Sequence, residues 1–200
     1  MIWIDGVLVS PGEGGVYGER MLKGHRVWDP HRSKLAALYA RGGGRDLEPQ
    51  MRILYLGAAN GTTVSHVADY VECVYAVEFA PRPMQDLIEV ARRRKNVVPI
   101  MADATNPVEY APLVEEVDMV IQDVAQPDQA GIVHANLPFL KPEGVYILML
   151  KTRSVDVRAD PNAVIAATVQ NLEKGGLRVH DTTRLEPFHR DHAAIVCTRT

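Results

Sequence analysis

At 200 residues the chain suits one domain of ordinary size with a modest appendage, and it is long enough to bury a core without disulfide or metal staples. A formal net charge of -3 argues against a protein that coats nucleic acid indiscriminately, although a local basic patch remains compatible with it. Cys73 and Cys197 lie in apolar runs without CxxC spacing, which points to core packing in a reducing compartment. No basic segment leads into an apolar one at the N-terminus, and no run nears the ~18 apolar residues of a membrane span. A soluble protein of the cytoplasm, with no membrane partner, is the expectation.

In chain order, residues 2–9 alternate around Asp5-Gly6, a hairpin cue. Gly12, Gly14, Gly15 and Gly18 punctuate a loop, and a helical segment over 33–39 is broken by Gly42, Gly43 and Gly44. Residues 1–48 are therefore expected to form a small β-rich N-terminal module, with 49–200 as the main domain. From residue 51 strands and helices alternate. Strands are predicted at 52–56, 73–78, 97–101, 118–122, 144–150, 177–184 and 193–198. Helices are predicted at 62–70, 83–94, 107–115, 128–138 and 160–174. That alternation implies an α/β fold with a largely parallel sheet covered on both faces. The loop carrying Pro187 is too short for a helical crossover, so the last two strands should pair antiparallel.

The stretch 52–63 reads as a strand entering a glycine-bearing turn and then a helix. Gly57 and Gly61 let a ligand lie against bare backbone, but their G-x-x-x-G spacing is not the dinucleotide pattern. Glu78 ends the next apolar run, where nucleotide-binding sheets place a carboxylate for ribose hydroxyls. Gly57, Thr62, Thr63, Glu78, Asp103, Asp123 and Lys151 then gather at the C-terminal ends of successive strands, where ligand groups converge. Asp103 fits either an adenine edge or an N-cap to a helix near Pro107. Lys151 is a base whose pKa desolvation lowers, or, if a neighbouring Asp123 keeps it charged, a group that orients and stabilises an oxyanion, or simply a snorkelling lysine at a strand end. Arg20, Lys23, Arg26, Arg32, Lys34, Arg41 and Arg45 give a basic excess that either binds phosphates or is simply solvated. The run Arg92 to Lys95 reads as a charge cluster complementing a helix C-terminus.

Leu-Gly-Ala-Ala-Asn-Gly-Thr-Thr (56–63), Tyr-Ala-Val-Glu-Phe (75–79), Gln-Asp-Val-Ala-Gln-Pro-Asp-Gln (122–129) and Glu-Pro-Phe-His-Arg-Asp-His (186–192) together resemble fibrillarin. Trp-Asp-Pro-His-Arg-Ser-Lys-Leu-Ala (28–36) adds to the match, and the lack of a glycine/arginine-rich N-terminal tail resembles the archaeal form. Asn60 departs from the Ser or Ala usual in that turn, and its tolerance of left-handed geometry keeps binding compatible.

The resemblance implies a Rossmann-like class I methyltransferase fold, with a mostly parallel seven-stranded sheet and an antiparallel last strand. It implies an S-adenosylmethionine-dependent RNA 2′-O-methyltransferase acting on rRNA and possibly tRNA. The cofactor would rest on Gly57, Ala58, Thr62, Thr63, Glu78, Phe79, Asp103, Ala104, Asp123, Val124, Ala125 and Gln126. The catalytic set would be Lys34, Asp123, Lys151 and His192, with no metal, and Asp191 competes with His192. His192 would be either a proton relay or a local hydrogen-bond partner. Lys34 joins the set only if the N-terminal module folds back over the site; otherwise it is a solvated helix charge. A box C/D guide RNA would choose the target nucleotide, with a Nop-family scaffold and a kink-turn-binding ribosomal-type protein as partners.

Overall fold

A computed structural model describes residues 1–200. The N-terminal hairpin pairs β1 (Ile2–Ile4) with β2 (Val7–Ser10), Trp3 facing Leu8. Its turn places Asp5 at φ +50° and Gly6 at φ +76°, the mirror-image turn geometry that matches strand twist. A second hairpin, β3 (Met21–Leu22) and β4 (His25–Val27), turns at Lys23-Gly24 with φ of +49° and +83°. The four strands form one sheet in the order β1-β2-β4-β3. Helix α1 (Lys34–Ala40) follows; Ser33 caps it by accepting from the Ala36 N–H at 3.2 Å. Leu35 to Tyr39 are all buried, so α1 is an internal helix rather than an amphipathic surface one.

The main sheet comprises β5 (Arg52–Leu56), β6 (Cys73–Glu78), β7 (Val97–Met101), β8 (Val117–Gln122), β9 (Leu140–Lys151), β10 (Leu177–Arg184) and β11 (His192–Arg199). Their order is β10-β11-β9-β8-β5-β6-β7. Strand β11 runs antiparallel to both neighbours while β5 to β9 pair in parallel, as the short loop before it required. The crossovers contain α2 (Thr62–Ala68), α3 (Pro81–Arg93), α4 (Gln129–Asn136), the single turn α5 (Thr152–Val155) and α6 (Pro161–Lys174). Side chains alternate across the sheet. Ile53, Tyr55, Met119, Ile147 and Met149 pack with α1, α2 and α3, and Leu54, Leu56, Val120, Leu148 and Leu150 pack with α4 and α6. Leu8 and Trp28 belong to the first of these clusters, so the core continues from the N-terminal strands into the main sheet.

Two expectations need correction. The helix predicted at 107–115 is instead a pair of 3-10 turns, Pro107–Glu109 and Ala111–Leu113. Pro112 has no N–H to give an α-helix, and its ring would strike the carbonyl four residues back. Strand β9 begins at Leu140, well before the predicted 144, because Lys-Pro-Glu-Gly (141–144) is an irregular strand entry rather than a turn. A register shift against β8 between Val117 and Met119 accommodates it.

Candidate active site

The loop leaving β5 builds one wall of a cavity at the C-terminal edge of the sheet. Gly57 sits at φ +81°, and an added Cβ would lie 2.5 Å from the Asp123 carbonyl oxygen. Glycine is thus what allows the loops after β5 and β8 to touch. The N–H groups of Gly57 and Ala58 both donate to the Val77 carbonyl at 3.0 Å, which ties the turn to β6. The next N–H, that of Ala59, donates to Oε2 of Glu78 at 2.8 Å, and Ala80 N–H donates to Oε1 at 2.8 Å. Glu78 is only 7% exposed, so its carboxylate is aimed by two backbone donors while each oxygen keeps a further acceptor direction.

The cavity encloses about 320 Å³. Gly57, Glu78, Phe79, Asp103, Ala104, Asp123, Val124, Ala125 and Gln126 all line it, so nine of the residues expected to hold a cofactor converge there. Phe79 is 62% exposed at this lining, a flat apolar face beside open space. Asp103 does not cap a helix; its Oδ1 accepts from the Thr105 N–H at 2.9 Å, a local turn that fixes the carboxylate at the cavity. Three expected residues lie outside the lining. Ala58 is buried beneath the turn, Thr62 Oγ1 donates to Asn60 Oδ1 at 3.0 Å, and Thr63 Oγ1 donates to Ser33 Oγ at 3.0 Å. Ala59, Val77, Ala102, Thr105 and Ile132 complete the wall. Of these, only Ala59 carried a signal, its place inside the glycine turn, where it adopts φ +48°.

The expected catalytic residues come from four parts of the chain. Lys34, the first residue of α1, donates to Asp123 Oδ1 at 2.7 Å, with side chains 23% and 18% exposed. The N-terminal part of the chain therefore reaches the cavity wall at Asp123, although none of its residues lines the cavity itself. The charged partner of Asp123 is thus Lys34, and no ion pair joins Asp123 to Lys151. Lys151 ends β9 directly opposite His192 on β11. His192 Nδ1 lies 2.6 Å from the Arg190 carbonyl, which can only accept, so Nδ1 carries the hydrogen and Nε2 is left as the open acceptor. Burial, reinforced by the Lys34 and His189 charges, lowers the His192 pKa below the usual histidine value. The alternative, Asp191, is engaged elsewhere: its Oδ2 accepts from Arg153 Nε at 3.3 Å, and its carbonyl accepts from Thr152. His189, which carries no distinguishing signal in the sequence, stands beside His192 with ring centroids 5.9 Å apart and donates from Nε2 to the Pro30 carbonyl at 2.8 Å.

The basic segment divides on folding. Arg26 is fully buried, pairing with Glu19 and with Asp69 at 2.6 Å, so it cannot meet a phosphate. Lys23 pairs with Asp5 and Arg45 with Glu48, leaving Arg20, Arg32 and Arg41 exposed without ion pairs. In the Arg92 to Lys95 run, Arg92 and Arg93 do occupy the last turn of α3, but Arg94 reaches Asp69 at 2.7 Å and the Gly14 carbonyl at 3.1 Å.

A seven-stranded sheet of this order, with one antiparallel strand inserted next to the edge and an acidic cavity at the parallel strands' C-termini, defines the class I methyltransferases. The fibrillarin family model matches residues 8–200, and the chain belongs to the fibrillarin family. It is 70% identical to the fibrillarin-like rRNA/tRNA 2′-O-methyltransferase of Methanoculleus marisnigri over 199 residues, covering 100% of this chain and 99% of that protein. Fibrillarin in a fibrillarin/Nop5p complex superposes with a TM-score of 0.93 at 40% identity, covering 98% of this chain and 96% of that one. Aeropyrum pernix fibrillarin with natively bound S-adenosyl-L-methionine gives a TM-score of 0.83 at 44% identity, covering 92% and 84%.

Proposed function

We propose that this protein is an RNA 2′-O-methyltransferase. It transfers a methyl group from S-adenosylmethionine to riboses of rRNA, and of tRNA, that a box C/D guide RNA specifies. The observation that carries the reading is the Lys34–Asp123 ion pair, because Asp123 is at once a wall of the 320 Å³ cavity and the partner of a lysine from the N-terminal module. Residues 1–48 are read as the module that delivers Lys34, and 49–200 as the cofactor-binding domain.

The cavity fits the cofactor's polar and apolar parts. Both Glu78 oxygens are preset by backbone donors and suit a ribose diol, Phe79 offers a face for a purine, and Asp103 offers an acceptor for an exocyclic amine. Gly57 leaves the backbone bare, and Ala104, Val124, Ala125 and Gln126 close the sides; Ala58, Thr62 and Thr63 act indirectly, by holding the turn and α1 in place. Bound there, S-adenosylmethionine supplies an electrophilic methyl on a sulfonium. Lys151 orients the incoming 2′-hydroxyl, and with Lys34 it sets positive charge beside the oxygen as its O–H bond weakens. Nε2 of His192, open and uncharged at neutral pH, would accept the proton of the 2′-hydroxyl, and the cofactor, when bound, would give up its methyl to that oxygen and leave as the neutral thioether. Alignment of the reacting pair supplies much of the rate, on the order of 7–11 kcal/mol for a well-held pair.

Membership of the fibrillarin family and the likeness to fibrillarin in its complex with Nop5p support target choice by a guide RNA and assembly with a Nop-family scaffold and a kink-turn-binding protein in an archaeal cytoplasm. No helix is long and apolar enough to cross a membrane. The test is transfer of labelled methyl to a target RNA by the chain alone and by a particle reconstituted with both proteins and a matching guide. Label on one guide-specified ribose, in the full mixture only, is the expected result. Efficient site-specific labelling by the isolated chain would overturn the dependence on a guide, and no RNA labelling despite cofactor binding would point to another acceptor.

A further inference from the structure

Strand β9 outruns its parallel neighbour at the active edge. Pairing with β8 ends at Gln122 opposite Leu148, where β8 stops and Asp123 turns off to hydrogen-bond Leu56 and line the cavity. Lys151 lies three residues further on, with β11 on one side and no strand on the other. On that bare side the Gln129 amide fills the gap. Its Oε1 accepts from the Lys151 N–H and its Nε2 donates to the Lys151 carbonyl, both at 3.0 Å. One side-chain amide thus reproduces the donor and acceptor that a continued β8 would have offered. Gln129 is 1% exposed and is itself fixed: Gln122 Nε2 donates to its carbonyl at 2.9 Å, and the buried Tyr146 hydroxyl donates to Gln122 Oε1 at 2.6 Å.

We infer that Gln129 is a positioning residue for Lys151, an artificial strand neighbour that lets β8 and β9 part to open the cavity while the lysine's backbone stays in sheet register. The inference rests on the reading of Lys151 as a catalytic residue. A buried amide with both groups satisfied by the backbone of one residue is stiff, since losing either bond strands a desolvated polar atom.

The test uses Gln129→Met, which keeps the volume and length and removes both bonds, in the reconstituted guide-RNA particle. The expected result is a 10- to 100-fold fall in kcat, with the dissociation constant for S-adenosylmethionine and the KM for target RNA within twofold of wild type. Displacement of α4 as a whole would instead weaken cofactor binding, because the cavity residues Asp123 to Gln126 lead straight into that helix. An unchanged kcat, or a loss confined to cofactor affinity, overturns the inference. If Gln129→Met does not fold, Gln129→Glu replaces it. Its carboxyl is read across the pH range, since the neutral form keeps donor and acceptor and only the ionised form loses the donor. Gln129→Asn, one methylene too short to meet both the Lys151 N–H and carbonyl, should lower kcat, and a wild-type value there refutes the role. Lys151→Ala separates the two levels. Wild-type turnover there removes the catalytic reading itself, whereas an inactive Lys151→Ala beside a fully active Gln129→Met removes only the positioning role.

Discussion

At Gly57 two independent constraints meet, a left-handed φ of +81° and a carbonyl 2.5 Å from where a Cβ would sit. Gly57→Ala is expected to cost on the order of 1–3 kcal/mol, seen as a lower urea midpoint. It should also weaken S-adenosylmethionine binding, because relief of the clash pushes Asp123 away; a variant with unchanged stability and affinity would show that the loops are not in forced contact. His192 yields a second prediction. Its pKa is held below the usual value by burial and by the charges of Lys34 and His189, so the ring stays neutral to more acidic pH than an ordinary histidine. With His192 as the base, activity is present above that lowered pKa, and the acid limb of the kcat/KM profile falls below about pH 6.5. Persistence of the same limb in His192→Gln would assign it to another group. The residue types of both positions were legible from the sequence. The tautomer of His192 was not, since it depends on where the Arg190 carbonyl points.

At the scale of elements, α1 is the part that would deliver Lys34 in the proposed mechanism. It is seven residues long, its cap is Ser33, and its first helical residue is Lys34. Ser33 Oγ accepts from Ala36 N–H and also from Thr63 at the start of α2, so one hydroxyl joins the two helices beside the site. Ser33→Ala is expected to lower stability by about 1 kcal/mol. Turnover should drop further than stability alone explains, as Lys34 loses its fixed starting point; measurement of both by urea unfolding and methyl transfer checks it, and a stability loss without any change in kcat would refute the coupling. The strands of the main sheet were readable because each is a local apolar run between turn signals. The helix predicted at 107–115 gives way to 3-10 turns because Pro107 and Pro112 outweigh its apolar content, and the second hairpin lacks a local cue because Lys23 supplies no turn signal beyond its neighbour Gly24.

At the scale of the molecule, the N-terminal strands are joined to the main domain by a buried ionic cluster. Arg26 sits between Glu19 and Asp69, Arg94 reaches Asp69, and Ser10 donates to Asp69 at 2.6 Å while standing 2.8 Å from His66 Nδ1. Burial, with the nearby Arg26 charge, pushes the His66 pKa down to about 3. Between about pH 3 and the ordinary 6.5 the unfolded chain binds a proton that the folded one refuses. The stabilising effect is therefore complete above pH 6.5 and is lost as pH falls, at about 1.4 kcal/mol per pH unit for this one group. Burial would raise the Glu19 carboxyl, but backbone N–H groups and Arg26 outweigh it and hold it at about 2, so its contribution is lost further down, from about pH 4.5 toward 2. Urea unfolding from pH 7 to pH 4 should show a steep decline that flattens in His66→Gln; identical slopes in the two proteins would remove His66 as the cause.

Local pattern alone determined much of this protein: the alternating strands and helices, the glycine turn, the carboxylates at strand ends and the antiparallel final pair. Each follows from neighbours within a few residues, where backbone sterics and hydrophobic periodicity act. The tertiary structure decided the rest. Lys34 meets Asp123 across 89 positions of sequence, and Arg26 meets Asp69 across 43, which turned one basic residue into a site group and another into a buried tie. Sequence spacing carries no distance between such groups, because electrostatic partners are chosen only after the core has set which surfaces face each other.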